Sequence, residues 1–177
     1  AIAIAVVNLT ALVAYTKLFK GLPGVGNLVV AYLTGSTFLF GAAAVGNAFE
    51  TAVLVLCALA AMATFTREVV KDVEDVAGDR KEGLRTLPIA LGERPALGLG
   101  VTVLVAAVVA SGVPYLVAGF GAVYLALVLP ADGLILWGAV SAYTDPSTGQ
   151  SHLKCGMFLA TAAFIAGRIT ASGGAPV

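Results

Sequence analysis

The chain has 177 residues, of which 59% are hydrophobic and 11% charged, and its ten basic and ten acidic side chains cancel. An average soluble domain is about 45–50% apolar and about 25% charged, so a water-soluble globule with a mean hydropathy of +0.99 could not hide its apolar surface. Intrinsic disorder is excluded by the same balance, and no net field recruits nucleic acid. The expected class is all-α: a polytopic transmembrane helical bundle forming one integral-membrane domain over residues 1–177.

A bilayer core of about 30 Å takes roughly 20 apolar residues per helix. Six candidate spans follow in chain order. The first, Ala1 to Ala14, is too short to cross and begins inside an apolar run without a Met, as if truncated. The second is expected from about Asn27 to Val45, the third from Phe49 to Val70 and the fourth from Ala96 to Gly112. The fifth runs from Tyr115 to Ala142 with a kink at Pro130, and the last from His152 to Thr170. Gly35 and Gly41, Gly98 and Gly100, and Gly119 and Gly121 read as sites of close helix packing. Cys57 and Cys155 lack metal or disulfide spacing and read as small packing residues. Trp137 and Tyr143 read as bilayer-interface aromatics.

Charge sorts by side. Lys17, Lys20, Arg67, Lys71, Arg80, Lys81, Arg85, Arg94 and Lys154 fall on one face of the bundle; only Arg168 falls on the other. The positive-inside rule then places the charged Arg67–Pro95 segment in the cytoplasm and the protein in the cell membrane as a multi-pass chain.

Thirteen of the twenty charged residues lie between Arg67 and Arg94. On a helix at about 100° per residue, Glu68, Asp72, Asp75 and Asp79 share an arc of about 60°, while Glu74 points away at about 200° from Asp72. Arg67 and Lys71 form a neighbouring i, i+4 stripe. Four aligned carboxylates are tolerable in water, neutralised by those two cations, or bound to a metal ion. Mg²⁺ takes hard oxygen ligands, usually one or two carboxylates plus substrate phosphates, and Asp72, Asp75 and Asp79 suit that use. No His or Cys accompanies them, which argues against zinc.

The run from Asp72 through Glu74, Asp75, Gly78 and Asp79 to Gly83, Thr86 and Pro88 resembles the second aspartate-rich motif of the UbiA family of intramembrane prenyltransferases. Tyr15-Thr-Lys-Leu-Phe-Lys20, followed by Gly26-Asn27, is similar to the family's tyrosine–lysine segment. Lys154-Cys-Gly156-Met157, with Gly167-Arg168 beyond it, looks like the last helix of the archaeal ether-lipid branch. The likeness covers nearly the whole chain, matching the C-terminal part of the family fold, with N-terminal helices and a first aspartate motif missing.

The resemblance implies a Mg²⁺-dependent prenyltransferase. A prenyl group, geranylgeranyl in that branch, passes from an allylic diphosphate to the hydroxyl of geranylgeranylglyceryl phosphate, with both lipid tails in the bilayer. It implies Asp72, Asp75 and Asp79 as catalytic residues and, with Glu68, as metal ligands. It implies substrate contacts from Tyr15, Lys20, Asn27, Arg67 and Lys71. Each has a plainer alternative: a snorkelling Lys20, an interfacial Tyr15, an Arg67 that pairs with a carboxylate. Gly83, Thr86 and Pro88 shape the covering loop; His152 is structural, and Lys154 a candidate for an anionic acceptor head group. Other readings are an aromatic (quinone- or chlorophyll-type) prenyltransferase, a non-catalytic membrane fragment and a transporter. Transporter sites sit at the bilayer midplane on broken helices, whereas these aspartates sit at a membrane end beside basic residues. A CDP-alcohol phosphotransferase lacks its Asp-Gly-x-x-Ala-Arg pattern here. No oligomeric state is legible.

Overall fold

The computed structural model describes residues 1–172, which form helices and short connections with no strand among them. The order is α1 (Ile2–Ala14), a π-helical turn (Tyr15–Phe19), α2 (Val25–Ala44), α3 (Thr51–Lys81), α4 (Leu87–Leu91), α5 (Glu93–Ala110), α6 (Val113–Val117), α7 (Ala122–Ser141) and α8 (Pro146–Ser172). Six helical stretches are long and apolar enough to cross a membrane. Large apolar side chains such as Ile2, Val109 and Leu116 lie at least three-quarters exposed on the bundle's outside, as expected where lipid replaces water.

Several boundaries differ from the sequence reading. The first span does not stop at Ala14. The wider π-helical turn carries it on to Phe19, giving an apolar stretch of 18 residues. The third helix does not end at Val70 but continues unbroken to Lys81, because Val69, Val70, Val73 and Val76 stay buried along one side. The fifth span starts at Ala122 rather than Tyr115; α6 and a glycine with φ +71 at Gly119 turn the chain first. Pro130 lies inside α7 without ending it. The last helix starts six residues earlier than expected, at Pro146.

That early start has a local cause. Asp145 Oδ1 accepts from the backbone N–H groups of Ser147 (3.1 Å) and Thr148 (3.2 Å), and Oδ2 accepts from Thr148 Oγ1 (2.5 Å). This is a side-chain cap on free N–H groups of the first turn. The Thr148 hydroxyl, then the backbone amides, hold the Asp145 carboxyl below its ordinary pKa.

Glycine decides the tightest contacts, and not at all the positions expected. A Cβ on Gly35 would meet the Cys57 carbonyl oxygen at 2.5 Å, so α2 lies directly against α3. Gly41, Gly119 and Gly121 have open space instead. A second close approach is between α7 and α8, where a Cβ on Gly149 would stand 2.7 Å from Gly138 O and 2.8 Å from Ala142 Cα. Small residues allow such packing where lipid supplies no hydrophobic drive. At the opposite end Phe120, Tyr124 and Phe164 stack edge to face with centroids 5.1–5.5 Å apart.

Candidate functional site

The acidic stripe is the last third of α3. Val70 and Val73 pack with Leu97, Ile135 and Leu153, and Val69 packs with Phe65, Leu87 and Ala96. These valines fix the helix's rotation and turn the carboxylates of Glu68, Asp72, Asp75 and Asp79 to a different side. The helix ends at Glu82; Gly83 adopts φ +72, and Leu84 N donates to Asp79 O at 2.9 Å. Arg85 N donates to Gly21 O at 3.2 Å, tying this turn to the loop before α2. Thr86 is buried just before α4 and Pro88 lies in its first turn.

The four carboxylates have different partners. Glu68 Oε1 accepts from Arg67 Nη1 at 2.7 Å, with both side chains at most a quarter exposed. Asp72 Oδ2 accepts from Asn27 Nδ2 at 2.8 Å. Asp75 lies 3.8 Å from Lys71 Nζ in an exposed i, i+4 pair. Asp79 has no ion pair among the described residues. Glu74 points elsewhere, as the helical arc requires, and accepts from Gln150 Nε2 on α8 at 2.7 Å. The Gln150 Oε1 atom accepts from Arg67 Nη2 at 3.2 Å, so Gln150 braces α8 against α3.

The expected substrate residues are dispersed in role. Asn27 is 6% exposed and committed to Asp72. Tyr15, on the π-helical turn, has Glu68, Lys71, Asp72 and Asp79 as charged neighbours. Lys20 lies 3.9 Å from Glu82 Oε2, just beyond the stripe, in a pair more than half exposed. Arg67 and Lys71 each hold a stripe carboxylate. Among the described residues no three His, Cys, Asp or Glu side chains gather closely enough to enclose a metal. The donors are nonetheless all hard oxygens, and Asp79 is not engaged by a cation. That set fits Mg²⁺ held by one or two carboxylates with phosphate completing its shell.

An apolar cavity of about 380 Å³ opens from this end, between α2, α3, α5, α7 and α8. Arg67, Glu68 and Lys154 are its charged wall at the stripe end; Val30, Phe38, Leu59, Leu104, Met157 and Phe158 are among its apolar lining. A second apolar space of about 360 Å³ shares Phe38, Leu56, Thr161 and Phe164 with the first and reaches the Glu50–Arg168 ion pair, 2.9 Å, at the far end. Arg168, the exception to the charge asymmetry, is thus met by an acid on its own side.

Asp132, isolated in sequence, is the deep-wall residue that sequence reading passed over. Midway along α7, it is buried, lines the main cavity, and its Oδ2 lies 2.6 Å from Ser111 Oγ. Tyr124 donates to the Ser111 carbonyl at 2.6 Å. The available signal was a lone carboxyl within an apolar span, which by default has a partner or a task.

Six membrane-length helices, an apolar internal cavity and a carboxylate stripe at its mouth define a multi-pass membrane protein with an end-on acidic site. The chain matches the UbiA prenyltransferase family over residues 1–162 and belongs to that family. Digeranylgeranylglyceryl phosphate synthase of Haloquadratum walsbyi is 60% identical over 168 residues, covering 95% of this chain and 59% of the relative. The enzyme of the same name from Natronomonas pharaonis is 58% identical over 169 residues, covering 96% and 61%. A solved structure described as "Structural and mechanistic insights into the biosynthesis of Digeranylgeranylglyceryl phosphate synthase in membranes" superposes with a TM-score of 0.86 at 36% identity, covering 95% of this chain and 61% of that one. The chain therefore spans about three fifths of the length of these relatives.

Proposed function

We propose that residues 1–177 form one integral-membrane unit carrying the acidic half of a prenyl-transfer site, with the Arg67–Pro95 segment facing the cytoplasm. In this reading the protein moves a geranylgeranyl group from its allylic diphosphate to the hydroxyl of geranylgeranylglyceryl phosphate, in archaeal ether-lipid synthesis. The observation that carries it is the stripe Glu68, Asp72, Asp75 and Asp79 beginning at the mouth of an apolar cavity, in a chain 60% identical to a protein named for that lipid product.

Asp72, Asp75 and Asp79, with Glu68, would hold Mg²⁺, which when bound neutralises charge on the diphosphate oxygens. Asn27 orients the Asp72 carboxylate by its amide hydrogen bond. Arg67 and Lys71 compensate the stripe and present their remaining N–H donors toward an anionic ligand. Lys20 adds positive charge at the outer end and Tyr15 a phenol beside the carboxylates. The apolar walls exclude water while the allylic carbon–oxygen bond breaks, diphosphate departs and carbon gains cationic character. The acceptor oxygen forms the ether bond to that carbon and its proton is released. Fixed positive charge around a leaving group is the kind of electrostatic preorganisation worth several kcal/mol.

The test is transfer by the full-length gene product in vesicles, with labelled geranylgeranyl diphosphate, geranylgeranylglyceryl phosphate and Mg²⁺. Formation of the doubly prenylated glyceryl phosphate, lost on chelation, is expected. Transfer only to an aromatic acceptor, or none to any acceptor, would overturn the reading.

A further inference from the structure

Helices α3 and α8 run antiparallel and keep one register through the depth of the bundle. Arg67 meets Gln150 at the stripe end, and Glu50 meets Arg168 at the far end. The two pairs are seventeen residues apart along α3 and eighteen along α8, about 26 Å at about 1.5 Å per residue. The two apolar spaces follow one another along this length, and Phe38, Leu56, Thr161 and Phe164 line both. Leu56 and Thr161 each lie eleven residues from the Arg67–Gln150 pair, so these four side chains form a partition about 16 Å toward the far end. The Thr161 hydroxyl donates to Met157 O at 2.9 Å, so its polarity is satisfied on its own helix. Edge-to-face contacts with Phe120 and Tyr124 back the Phe164 ring.

A linear prenyl chain advances about 1.25 Å per main-chain bond at ordinary carbon bond lengths and angles. From reacting carbon to last carbon, three isoprene units then reach about 14 Å, four about 19 Å and five about 24 Å. Glu68 is on the cavity wall at the stripe end, and Leu56 lies twelve residues along the same helix, about 18 Å away. A four-unit tail that starts beside Glu68 therefore ends against the partition. A three-unit tail leaves apolar wall uncovered. A five-unit tail must push between Leu56 and Thr161 into the second space, which ends at the Glu50–Arg168 pair. We propose that this partition is a length gauge: Leu56 and Thr161, backed by Phe38 and Phe164, select a donor of four isoprene units. The donor tail runs along α3 from the stripe toward the far end. This rests on the prenyl-transfer reading and deepens it by naming the residues that set donor length.

The experiment gives the full-length protein, in vesicles and at fixed acceptor, farnesyl, geranylgeranyl and geranylfarnesyl diphosphate, with three, four and five isoprene units. In wild type, kcat/KM should peak at geranylgeranyl, about tenfold or more above either neighbour, since one misfitting methylene in an apolar pocket is worth about 10–200-fold. Leu56→Ala opens the partition, and the five-unit donor should gain about tenfold relative to the four-unit one. Thr161→Ala, a smaller change, should shift preference the same way by less. Leu56→Phe thickens the partition, and the three-unit donor should overtake. Leu54→Ala, 46% exposed and lining neither space, should keep the wild-type order. A damaged fold lowers all three donors together and cannot produce shifts in opposite directions. Comparable turnover of all three donors by wild type would mean that the tail leaves sideways into the bilayer, and would overturn the proposal. An unchanged length order in Leu56→Ala, Thr161→Ala and Leu56→Phe would overturn it too. Titration calorimetry with unreactive thiolodiphosphate analogues of the three donors separates this from the wider reading. Affinities ordered by length and shifted by these variants, without turnover by wild type, would keep the gauge and refute prenyl transfer. Turnover with the same length order in every variant would refute the gauge alone.

Discussion

Asn27 Nδ2 donates to Asp72 Oδ2 at 2.8 Å, joining the start of α2 to the acidic stripe of α3 across 45 residues of sequence. The bond is sheltered, with Asn27 only 6% exposed, and it turns one Asp72 oxygen inward. In the proposed site Asn27 would position the Asp72 carboxylate through this hydrogen bond. Asn27→Ala should lower kcat/KM about 10–100-fold, the range for a hydrogen bond to a charged group. Asn27→Asp should be worse, because it faces Asp72 with a like charge. Michaelis constants at varied Mg²⁺ check this: the half-saturating Mg²⁺ concentration should rise in both variants. A loss of rate with unchanged Mg²⁺ dependence would point to α2–α3 packing instead.

The stripe predicts unequal consequences for neighbouring acids. Asp79→Ala and Asp72→Ala should abolish Mg²⁺-dependent transfer, and Asp75→Ala should reduce it strongly while also freeing Lys71. Glu74→Ala should be mild, since Glu74 points to another face of α3, where it meets Gln150. Initial rates with saturating donor, alongside thermal denaturation to verify folding, test the contrast. Comparable losses at Glu74 and Asp79 would contradict the helical-face geometry.

The stripe was legible because helical periodicity alone orders Glu68, Asp72, Asp75 and Asp79, and the valines between them confirm the rotation. The span count was legible from apolar length. Helix ends were less so: the same valines carry α3 three turns past its apolar segment, and one aspartate cap starts α8 six residues early. Contacts across the fold were not legible at all. Nothing local distinguishes Gly149, jammed against α7, from Gly41, which faces open space. Nor does the sequence around Asp132 show that Ser111, at the end of another helix, stands beside it.

That glycine contrast is measurable. Gly149→Ala would force a methyl against backbone atoms of Gly138 and Ala142 that no side-chain rotation can move. Overpacking of this kind costs about 1–3 kcal/mol, so the melting temperature in detergent should fall and α7–α8 packing loosen. Gly41→Ala meets nothing within 4 Å and should be neutral or slightly stabilising, through helix propensity. Matching melting temperatures for the two variants would refute the close approach.

Asp132 is held by Ser111, and Ser111 is over-subscribed. Its single hydroxyl proton has two acceptors in reach, Asp132 Oδ2 at 2.6 Å and the Val108 carbonyl at 2.7 Å. An amide at position 132 would donate to Ser111 Oγ and let that hydroxyl serve Val108. Asp132→Asn should therefore preserve stability, while Asp132→Ala leaves a gap in the buried wall and should cost about 0.5–3 kcal/mol, the usual range for a single substitution, although the Ser111 hydroxyl keeps the Val108 carbonyl as its acceptor. Denaturation midpoints of the two variants decide it; an amide as damaging as alanine would mean that the carboxyl has a role beyond this pair.

Acid sensitivity should centre on the N-terminus of α8. Asp145 has a folded pKa below its ordinary value, because the Thr148 hydroxyl and the first-turn amides favour its charged form. Its stabilising effect is then fully present above the unfolded value of about 3.9 and fades as pH falls through the lower folded value. Asp145→Asn retains a good cap, since Asn and Asp are comparable there, but carries no titrating charge. The destabilisation caused by Asp145→Ala at neutral pH should shrink on acidification, and Asp145→Asn should flatten that part of the pH profile. Melting curves across this range check both statements. A constant Asp145→Ala penalty at every pH would mean that the charge on Asp145 adds nothing to the cap.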